Sequence, residues 1–313
     1  MKSLFPPIEP YHTFYLETEG HRIYCEECGN PEGLPVLFLH GGPGSGCTAD
    51  HRRFFDPQRY RVILVDQRGA GRSEPAGELR HNDTWKLLDD LEEIRKSLMI
   101  NRWLLFGGSW GAALALLYAQ KHPQRVLGMI LRGVFLARRY DLDWFIKDGA
   151  RRIYPDRWHE LVTSLPLSGW NDVVQGMYKA VTGSNEALQQ RVVLAWSRWS
   201  SAVTLGTAFA AESLAGPADL LPKVKIELHY ASHQYFLQEN QILQDCARIR
   251  ALPCEIIHGR GDLVCPVESA FTLKRHLPGA ELKILERSGH IAAGEEMIDA
   301  LVSATCRMAE RLA

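Results

Sequence analysis

The sequence predicts an α/β fold in which a mostly parallel, doubly wound sheet carries an inserted helical segment. Three observations indicate it. Apolar runs of strand length alternate with helix-forming runs up to about residue 135, and they return after residue 250. Residues 136–250 lack such strand runs and have the texture of helices. A serine flanked by glycines, within 107–111, stands between an apolar run and a helix-forming run.

The first strands are predicted from alternation and from continuous apolar runs. Residues 14–18 and 23–28 alternate and turn at Glu19-Gly20, which predicts an antiparallel hairpin. Residues 35–40 and 61–65 are apolar almost throughout, a pattern typical of strands buried on both faces of a parallel sheet.

The later elements follow from the same patterns. Residues 83–99 predict an amphipathic helix with Asn82 or Asp83 as its cap. Further runs predict strands at 103–106, 126–131, 254–259 and 282–285, and helices at 112–120 and from about 295 to the terminus. Because strands alternate with helices along the chain, we expect right-handed crossovers and a parallel sheet.

The domain boundaries follow from the change of texture. We expect residues 1–135 and 251–313 to form the core and residues 136–250 to form a helical cap. This cap contains five of the eight tryptophans: Trp144, Trp158, Trp170, Trp196 and Trp199. We expect most of these rings to fill the cap's own core.

The composition is that of an ordinary globular protein, with 46% hydrophobic and 23% charged residues among 313. A net charge of −1 gives no reason to expect nucleic acid or an anionic membrane as a partner. No apolar leader follows Met1-Lys2, and no run approaches the ~20 residues of a membrane span, so the cytoplasm is the expected compartment. The composition does not predict an oligomeric state.

The seven cysteines are scattered and odd in number, which is not the pattern of a disulfide framework. Cys25 and Cys28 have CxxC spacing, but they lie in a strand-like run and no second ligand pair completes a zinc site. We therefore expect no metal.

The segment 107–111 reads Gly-Gly-Ser-Trp-Gly, and its surroundings match a nucleophile elbow, a strand, a sharp turn and a helix. The turn strains the serine backbone, and Gly107 and Gly111 leave room for that strain. The Ser109 hydroxyl would then stand above a helix amino terminus, which favours negative charge. The alternative is a glycine-rich turn that merely contains a serine.

A serine hydroxyl needs a base, and the base needs an orienting carboxylate. On this scaffold the partners follow in the order serine, acid, histidine. Asp262 follows the strand at 254–259 and His290 follows the strand at 282–285, so both lie at strand carboxyl ends. Ser109, Asp262 and His290 are therefore the predicted triad.

Other acids and bases fit this order less well. We expect His258 to pack within its strand and His40 to support the glycine loop that follows it. Asp66 and Asp245 are alternatives for the acid, but neither occupies the strand end before the histidine. Arg68 and Arg72 are expected to order nearby loops.

Attack on a carbonyl also needs donors for the oxyanion. The loop Gly41-Gly42-Pro43-Gly44 follows a buried strand and can aim backbone N–H groups into the site. Gly42 is the favoured donor and Gly41 the second choice, and the Trp110 N–H would supply the other hydrogen bond. The alternative is a loop that is only flexible.

Five ordered motifs resemble the prolyl iminopeptidase family of α/β-hydrolases. They are HGGPG at 40–44, DQRGAGRS at 66–73, GGSWG at 107–111, HGRGDLVCP at 258–266 and SGH at 288–290. The resemblance runs from residue 4 to the terminal helix and weakens in the cap. It implies an α/β-hydrolase fold and an enzyme that releases an N-terminal proline through an acyl-enzyme without a cofactor.

The resemblance also implies how substrate is held. The family binds the free amine with cap carboxylates and the pyrrolidine ring in an aromatic pocket. At matching positions, Glu227 would bind the amine, Phe135 would contact the ring and Cys265 would line the same pocket. Without that match, Glu227 would be read as part of a solvated helix face.

Departures from the family pattern bear on selectivity. Ser200 stands where the family has a second amine-binding glutamate, while Ala231 and Ile146 stand where it usually has aromatic residues. An ammonium with fewer partners is held less well. We therefore expect a small peptide or amide substrate, with selectivity for proline that is relaxed or moved.

Two other functions stay open. One is an esterase or non-peptide amide hydrolase on the same scaffold, with altered cap selectivity. The other is a non-catalytic receptor, which predicts a broken triad or a blocked donor loop, and neither is visible. Ser109 argues against epoxide hydrolases and haloalkane dehalogenases, because those enzymes need a carboxylate at the elbow.

Overall fold

A twisted eight-stranded sheet forms the centre of the computed structural model, which describes residues 1–208 and 214–312. The strands are β1 (His12–Thr18), β2 (His21–Gly29), β3 (Leu34–Leu39), β4 (Tyr60–Val65), β5 (Trp103–Gly108), β6 (Val126–Arg132), β7 (Cys254–Gly259) and β8 (Glu281–Leu285). Their order across the sheet is β1-β2-β4-β3-β5-β6-β7-β8. The pairs β1–β2 and β2–β4 are antiparallel, and all later pairs are parallel.

Helices connect the parallel strands and fill the long interval between β6 and β7. They are α1 (Thr84–Ser97), α2 (Trp110–Lys121), α3 (Arg139–Asp143), α4 (Pro155–Thr163), α5 (Val173–Thr182), α6 (Glu186–Leu205), α7 (Pro217–Ser232), α8 (Gln241–Gln244), α9 (Val267–His276) and α10 (Glu295–Leu312). A 3₁₀ turn, Ala49–Phe54, lies between β3 and β4. In the described part of the chain, no helix is long and apolar enough to cross a membrane.

The sheet separates two apolar layers because successive side chains of a strand point to opposite faces. In β3, Leu37 and Leu39 belong to the cluster formed with α1, α2 and α9. Phe38 belongs to the opposite cluster, formed with α10 and the 3₁₀ turn. Residues at the carboxyl ends of the central strands therefore contact one apolar layer or the other.

The start of α1 distinguishes the two candidate caps. Asp83 is the N-cap, since its side chain accepts hydrogen bonds from the N–H groups of Trp85 and Lys86. Asn82 is buried and instead donates from Nδ2 to the carbonyl oxygens of Arg68 and Glu78. Asn82 thereby fixes the loop that precedes the helix.

The helices between β6 and β7 form an apolar cluster of their own, which includes Trp196 and the fully buried Trp199. Trp158 packs edge-on against Trp199, with ring centroids 5.4 Å apart. Trp170 does not fill this core. It follows a short turn, and 41% of its surface is exposed. The domain limits at residues 135 and 250 remain a prediction.

Candidate active site

Ser109 lies in a sharp turn between β5 and α2, with φ 57° and ψ −123°. This is a strained conformation for a residue with a side chain. A methyl group added at Gly107 would overlap the carbonyl oxygen of Gly111, and one added at Gly111 would overlap that of Leu39. The glycines are thus required by close backbone contact, in agreement with the predicted elbow.

Asp262 and His290 meet beyond the ends of β7 and β8. His290 Nδ1 lies 2.8 Å from Asp262 Oδ2, and the carboxylate is fully buried. Asp262 Oδ1 also accepts hydrogen bonds from the N–H groups of Val264 and Cys265, at 3.0 and 2.8 Å. These contacts orient the carboxylate, and a hydrogen bond from Nδ1–H leaves Nε2 of His290 as the basic nitrogen.

Burial by itself raises the pKa of the Asp262 carboxyl, because it disfavours the charged form. The opposing contributions come from His290, His258 and the Cys265 N–H, and they leave the pKa of Asp262 below its ordinary value. Asp262 is therefore ionised near neutral pH. An ionised carboxylate at this position stabilises the charged imidazolium that forms when a histidine takes a proton.

Ser109 and His290 line one cavity of about 420 Å³ at the carboxyl edge of the sheet. Within the described residues, the Ser109 hydroxyl makes no hydrogen bond with His290; the thiol of Cys265 lines the same cavity. Burial raises the pKa of that thiol well above its usual value, so Cys265 is uncharged. The hydrogen bond between Asp262 and His290 is already formed. In serine hydrolases, the contact between the serine and its base often tightens only when substrate binds.

The competing histidines have structural partners. His258 is fully buried, accepts a hydrogen bond from Val134 N at 3.1 Å and donates to Cys265 O at 2.8 Å. His40 accepts from Gln67 N at 3.0 Å and donates to the carbonyl oxygen of Gly41. His40 therefore supports the glycine loop, and His258 is buried within β7, as the sequence predicts for each.

The competing acids also lie in structural contacts. Asp66 binds the guanidinium of Arg72 at 2.8 Å and accepts from the Cys47 N–H. Asp245 lies in a 3₁₀ turn and pairs with Arg248. Arg68 is buried and binds Asp90 at 2.6 Å. These pairs give Arg68 and Arg72 the structural role that the sequence predicts.

The glycine loop after β3 lies directly beneath α7. A methyl group on Gly42 would be 3.1 Å from Glu227 Oε1, and one on Gly44 would be 2.9 Å from Lys223 O. The loop therefore needs glycine in order to let the helix approach. Gly41 and Gly42 line the cavity, while Trp110 begins α2, where an N–H group has no acceptor within the helix.

Glu227 is not on a solvated face. Its side chain is 14% exposed, Oε2 accepts a hydrogen bond from Trp196 Nε1 at 2.8 Å, and Lys223 Nζ lies 3.7 Å from Oε1. Trp196 thus contacts a predicted binding residue and also packs in the core of the cap. Helical periodicity could place Trp196 on a buried face, but it could not show that the indole points at a carboxylate on another helix.

The remaining predicted binding residues line the same cavity: Phe135, Ile146, Ser200, Ala231 and Cys265. Sequence reasoning missed Tyr235, which follows α7 and packs edge-on against Phe135 with ring centroids 4.9 Å apart. The Tyr235 ring also contacts Trp110, at 5.2 Å. Tyr235 has φ 55°, a conformation that no residue pattern in this segment indicates.

The chain is similar in sequence to proteins of one family along nearly its whole length. Residues 35–296 match the family described as the alpha/beta hydrolase fold. A proline iminopeptidase of Xylella fastidiosa (strain 9a5c) is 44% identical, over 97% of this chain and 99% of that protein. Proteins of the same name are 40% identical in Arabidopsis thaliana, over 93% and 78%, and 39% identical in Neisseria gonorrhoeae, over 97% and 98%.

Solved structures share the architecture at low sequence identity. A carboxylesterase structure from Nitrososphaera gargenis superposes with a TM-score of 0.64 at 20% identity, covering 96% of this chain and all of that one. An alpha/beta fold family hydrolase from Bacillus anthracis superposes with a TM-score of 0.62 at 20% identity, covering 97% of this chain and all of that one. These likenesses confirm the predicted fold class.

Proposed function

The chain belongs to the proline iminopeptidase family of α/β-hydrolases, and from this premise we propose that it releases an N-terminal proline, or a related residue, from short peptides or amides. It is a prolyl aminopeptidase-like serine hydrolase. The observation that carries the substrate assignment is the Glu227 carboxylate above the glycine loop, 3.1 Å from where a side chain on Gly42 would begin.

The proposed reaction begins at the Ser109 hydroxyl. Its oxygen forms a bond to the scissile carbonyl carbon while His290 Nε2 takes the proton, and Asp262 stabilises the imidazolium. N–H groups of Trp110 and of Gly42 or Gly41 receive the oxyanion. The carbon–nitrogen bond then breaks as the imidazolium gives its proton to the leaving amine. Water, activated by the same histidine, releases the acyl group.

The position of Glu227 suits an N-terminal residue. In such a residue the α-ammonium lies one carbon from the reacting carbonyl, so it must lie beside the oxyanion loop. Glu227 Oε1 is beside that loop, and the Trp196 indole holds the other carboxylate oxygen at 2.8 Å. Lys223, 3.7 Å away, is a flexible cation that a substrate ammonium would replace. We therefore propose Glu227 as the amine anchor.

Selectivity for proline is proposed to be relaxed. Ser200 brings a hydroxyl to the cavity where the family has a carboxylate, so Glu227 acts with one anionic partner fewer. Ala231 and Ile146 are smaller than the aromatic residues that the family usually has at these positions, and they leave space in the cavity. Tyr235 and Phe145 line the same cavity. An acyl pocket built in this way admits small aminoacyl groups besides proline.

A comparison of free and acetylated proline p-nitroanilide tests the amine anchor. We expect kcat/KM to favour the free amine by at least about 100-fold, and Glu227→Gln to reduce that preference at least tenfold, since charge-assisted hydrogen bonds contribute about 1.5–3 kcal/mol. Glu286→Gln, at an exposed ion pair with Arg260, is the matched control. Equal rates on both substrates, or a preference that survives in Glu227→Gln, would contradict the proposal.

A further inference from the structure

The cavity at Ser109 extends to both faces of the sheet. On one side it reaches Phe135 and Tyr235, which pack in the layer of α2. On the other side it reaches Phe38, Phe106 and Ala292, which pack in the layer of α10. We name this second part the α10-side chamber; its lining residues are Phe38, His51, Phe106, Arg132, Ile291 and Ala292.

The chemistry of the triad indicates which part takes which half of the substrate. The acyl residue is anchored at Glu227, under the cap. The leaving nitrogen must lie beside His290, which protonates it. Ile291 and Ala292 directly follow that histidine and open into the α10-side chamber. The amino acid that carries the leaving nitrogen therefore extends into this chamber.

The chamber has an aromatic wall. The rings of Phe38 and His51 stack with centroids 4.4 Å apart, and those of Phe38 and Phe106 stack at 5.4 Å. His51 Nδ1 accepts a hydrogen bond from Thr48 N, which holds the imidazole in place. Burial, and to a smaller degree the neighbouring His40 and Arg132, lower the pKa of His51 to about 4. The imidazole is thus an uncharged ring at neutral pH.

One edge of the chamber is positively charged. Arg132 lies at the end of β6 and donates a hydrogen bond to the carbonyl oxygen of His290. Among the residues that the structure describes, none offers Arg132 a carboxylate within ion-pair distance. Burial lowers the pKa of Arg132, and Asp262, which lies beyond ion-pair distance, opposes that shift. Because no carboxylate pairs with the guanidinium directly, its charge opposes entry of a second cation.

We propose that the α10-side chamber is a leaving-group subsite, which favours peptides whose second residue has an aromatic or large apolar side chain and disfavours a cationic one. The proposal rests on the proposed function, because it presumes aminoacyl transfer to Ser109. It assigns Phe38, His51, Phe106 and Ala292 to selection of the second residue, whereas Glu227 and Phe135 concern the first.

Initial-rate measurements on prolyl dipeptide amides test the subsite in the wild-type enzyme. The second residues are glycine, leucine, phenylalanine and lysine. Burial of a large apolar side chain is expected to raise kcat/KM about tenfold or more for leucine and phenylalanine over glycine. The value of kcat/KM for the lysine amide is expected to be at least about fivefold lower than that for the leucine amide. The aliphatic part of lysine is similar to leucine, but its ammonium group would face Arg132. Values within about twofold across the four amides would overturn the proposal.

A variant that fills the chamber locates the effect. Ala292→Phe is expected to reduce the phenylalanine-to-glycine ratio of kcat/KM at least about tenfold, because the new ring occupies the space of the leaving side chain. The ratio for prolyl-glycine amide over alanyl-glycine amide, which changes only the acyl residue, should stay constant. Ala251→Phe, on an exposed loop, is the control. An unchanged phenylalanine-to-glycine ratio in folded Ala292→Phe, or an altered acyl ratio instead, would overturn the assignment.

These measurements separate the two proposals. If the wild-type enzyme cleaves none of the prolyl amides although a fluorophosphonate labels Ser109, the proposed function has failed. If it cleaves all four equally, the function stands and the leaving-group subsite has failed.

Discussion

Among the described residues, Asp262 is the only carboxylate that contacts His290. One oxygen meets His290 Nδ1 and the other is held by two backbone N–H groups. Chain order and loop position were enough to predict this residue. An acid that follows one strand lies close to a histidine that follows the neighbouring strand, because the carboxyl ends of parallel strands meet at one edge of the sheet. The distances and the complete burial could not be predicted, since they depend on how the β7 and β8 loops pack.

The substitution Asp262→Asn tests that position. An amide cannot hold the imidazole in the required tautomer or stabilise its charged form, so kcat is expected to fall by about 10⁴, as it does in other serine hydrolases with this triad. Asp245→Asn changes the alternative acid, which pairs with Arg248 at the surface, and serves as the control. Steady-state kinetics on proline p-nitroanilide gives the result; a loss below tenfold in Asp262→Asn would contradict the assignment.

Trp196 and Tyr235 show where residue patterns carry no information. The Trp196 indole reaches Glu227 from a different helix, and Tyr235 enters the cavity through a left-handed backbone conformation. Both placements are set by packing between distant segments. Hydrophobic periodicity predicts which face of a helix is buried, but not which side chain of the neighbouring helix it meets.

At the scale of elements, α7 is joined to the core one turn beyond Glu227. His229 Nε2 donates to the carbonyl oxygen of Asn82, and the buried Tyr230 hydroxyl donates to Asn82 Oδ1, both at 2.9 Å. The Tyr230 ring packs edge-on against Trp110, the residue after Ser109. Because Asn82 is itself bonded to two core carbonyl groups, this contact sets where Glu227 lies above the glycine loop.

The substitution Tyr230→Phe removes that one hydrogen bond. It is expected to lower the free energy of unfolding by about 1 kcal/mol and to raise KM for free proline p-nitroanilide several-fold, with a smaller change for the acetylated substrate. Tyr60→Phe is matched, since the buried Tyr60 hydroxyl donates to Thr305 O on the opposite side of the core. Denaturant unfolding and kinetics check both variants; the same KM change in Tyr60→Phe would show a loss of stability alone.

At the scale of the whole molecule, the mostly parallel sheet was predicted more firmly than the packing of the cap, and the order of the strands was not predicted. Continuous apolar runs and right-handed crossovers leave few arrangements for a sheet of this kind, and the parallel strands lie close to the predicted ranges. For the segment between β6 and β7, the sequence predicted helices in general but not where each helix begins and ends. Their packing depends on contacts such as Trp158 with Trp199, which join segments far apart in the chain and carry no local signal.

The whole account depends on Ser109 as an activated nucleophile, and covalent labelling measures this most directly. Intact-protein mass spectrometry after treatment with a fluorophosphonate should show one adduct per chain, and peptide mapping should place it on Ser109. Ser109→Ala should remain unlabelled and should lose hydrolysis of proline p-nitroanilide by at least about 10³-fold. Equal labelling of Ser109→Ala, or full activity without Ser109, would contradict the central claim.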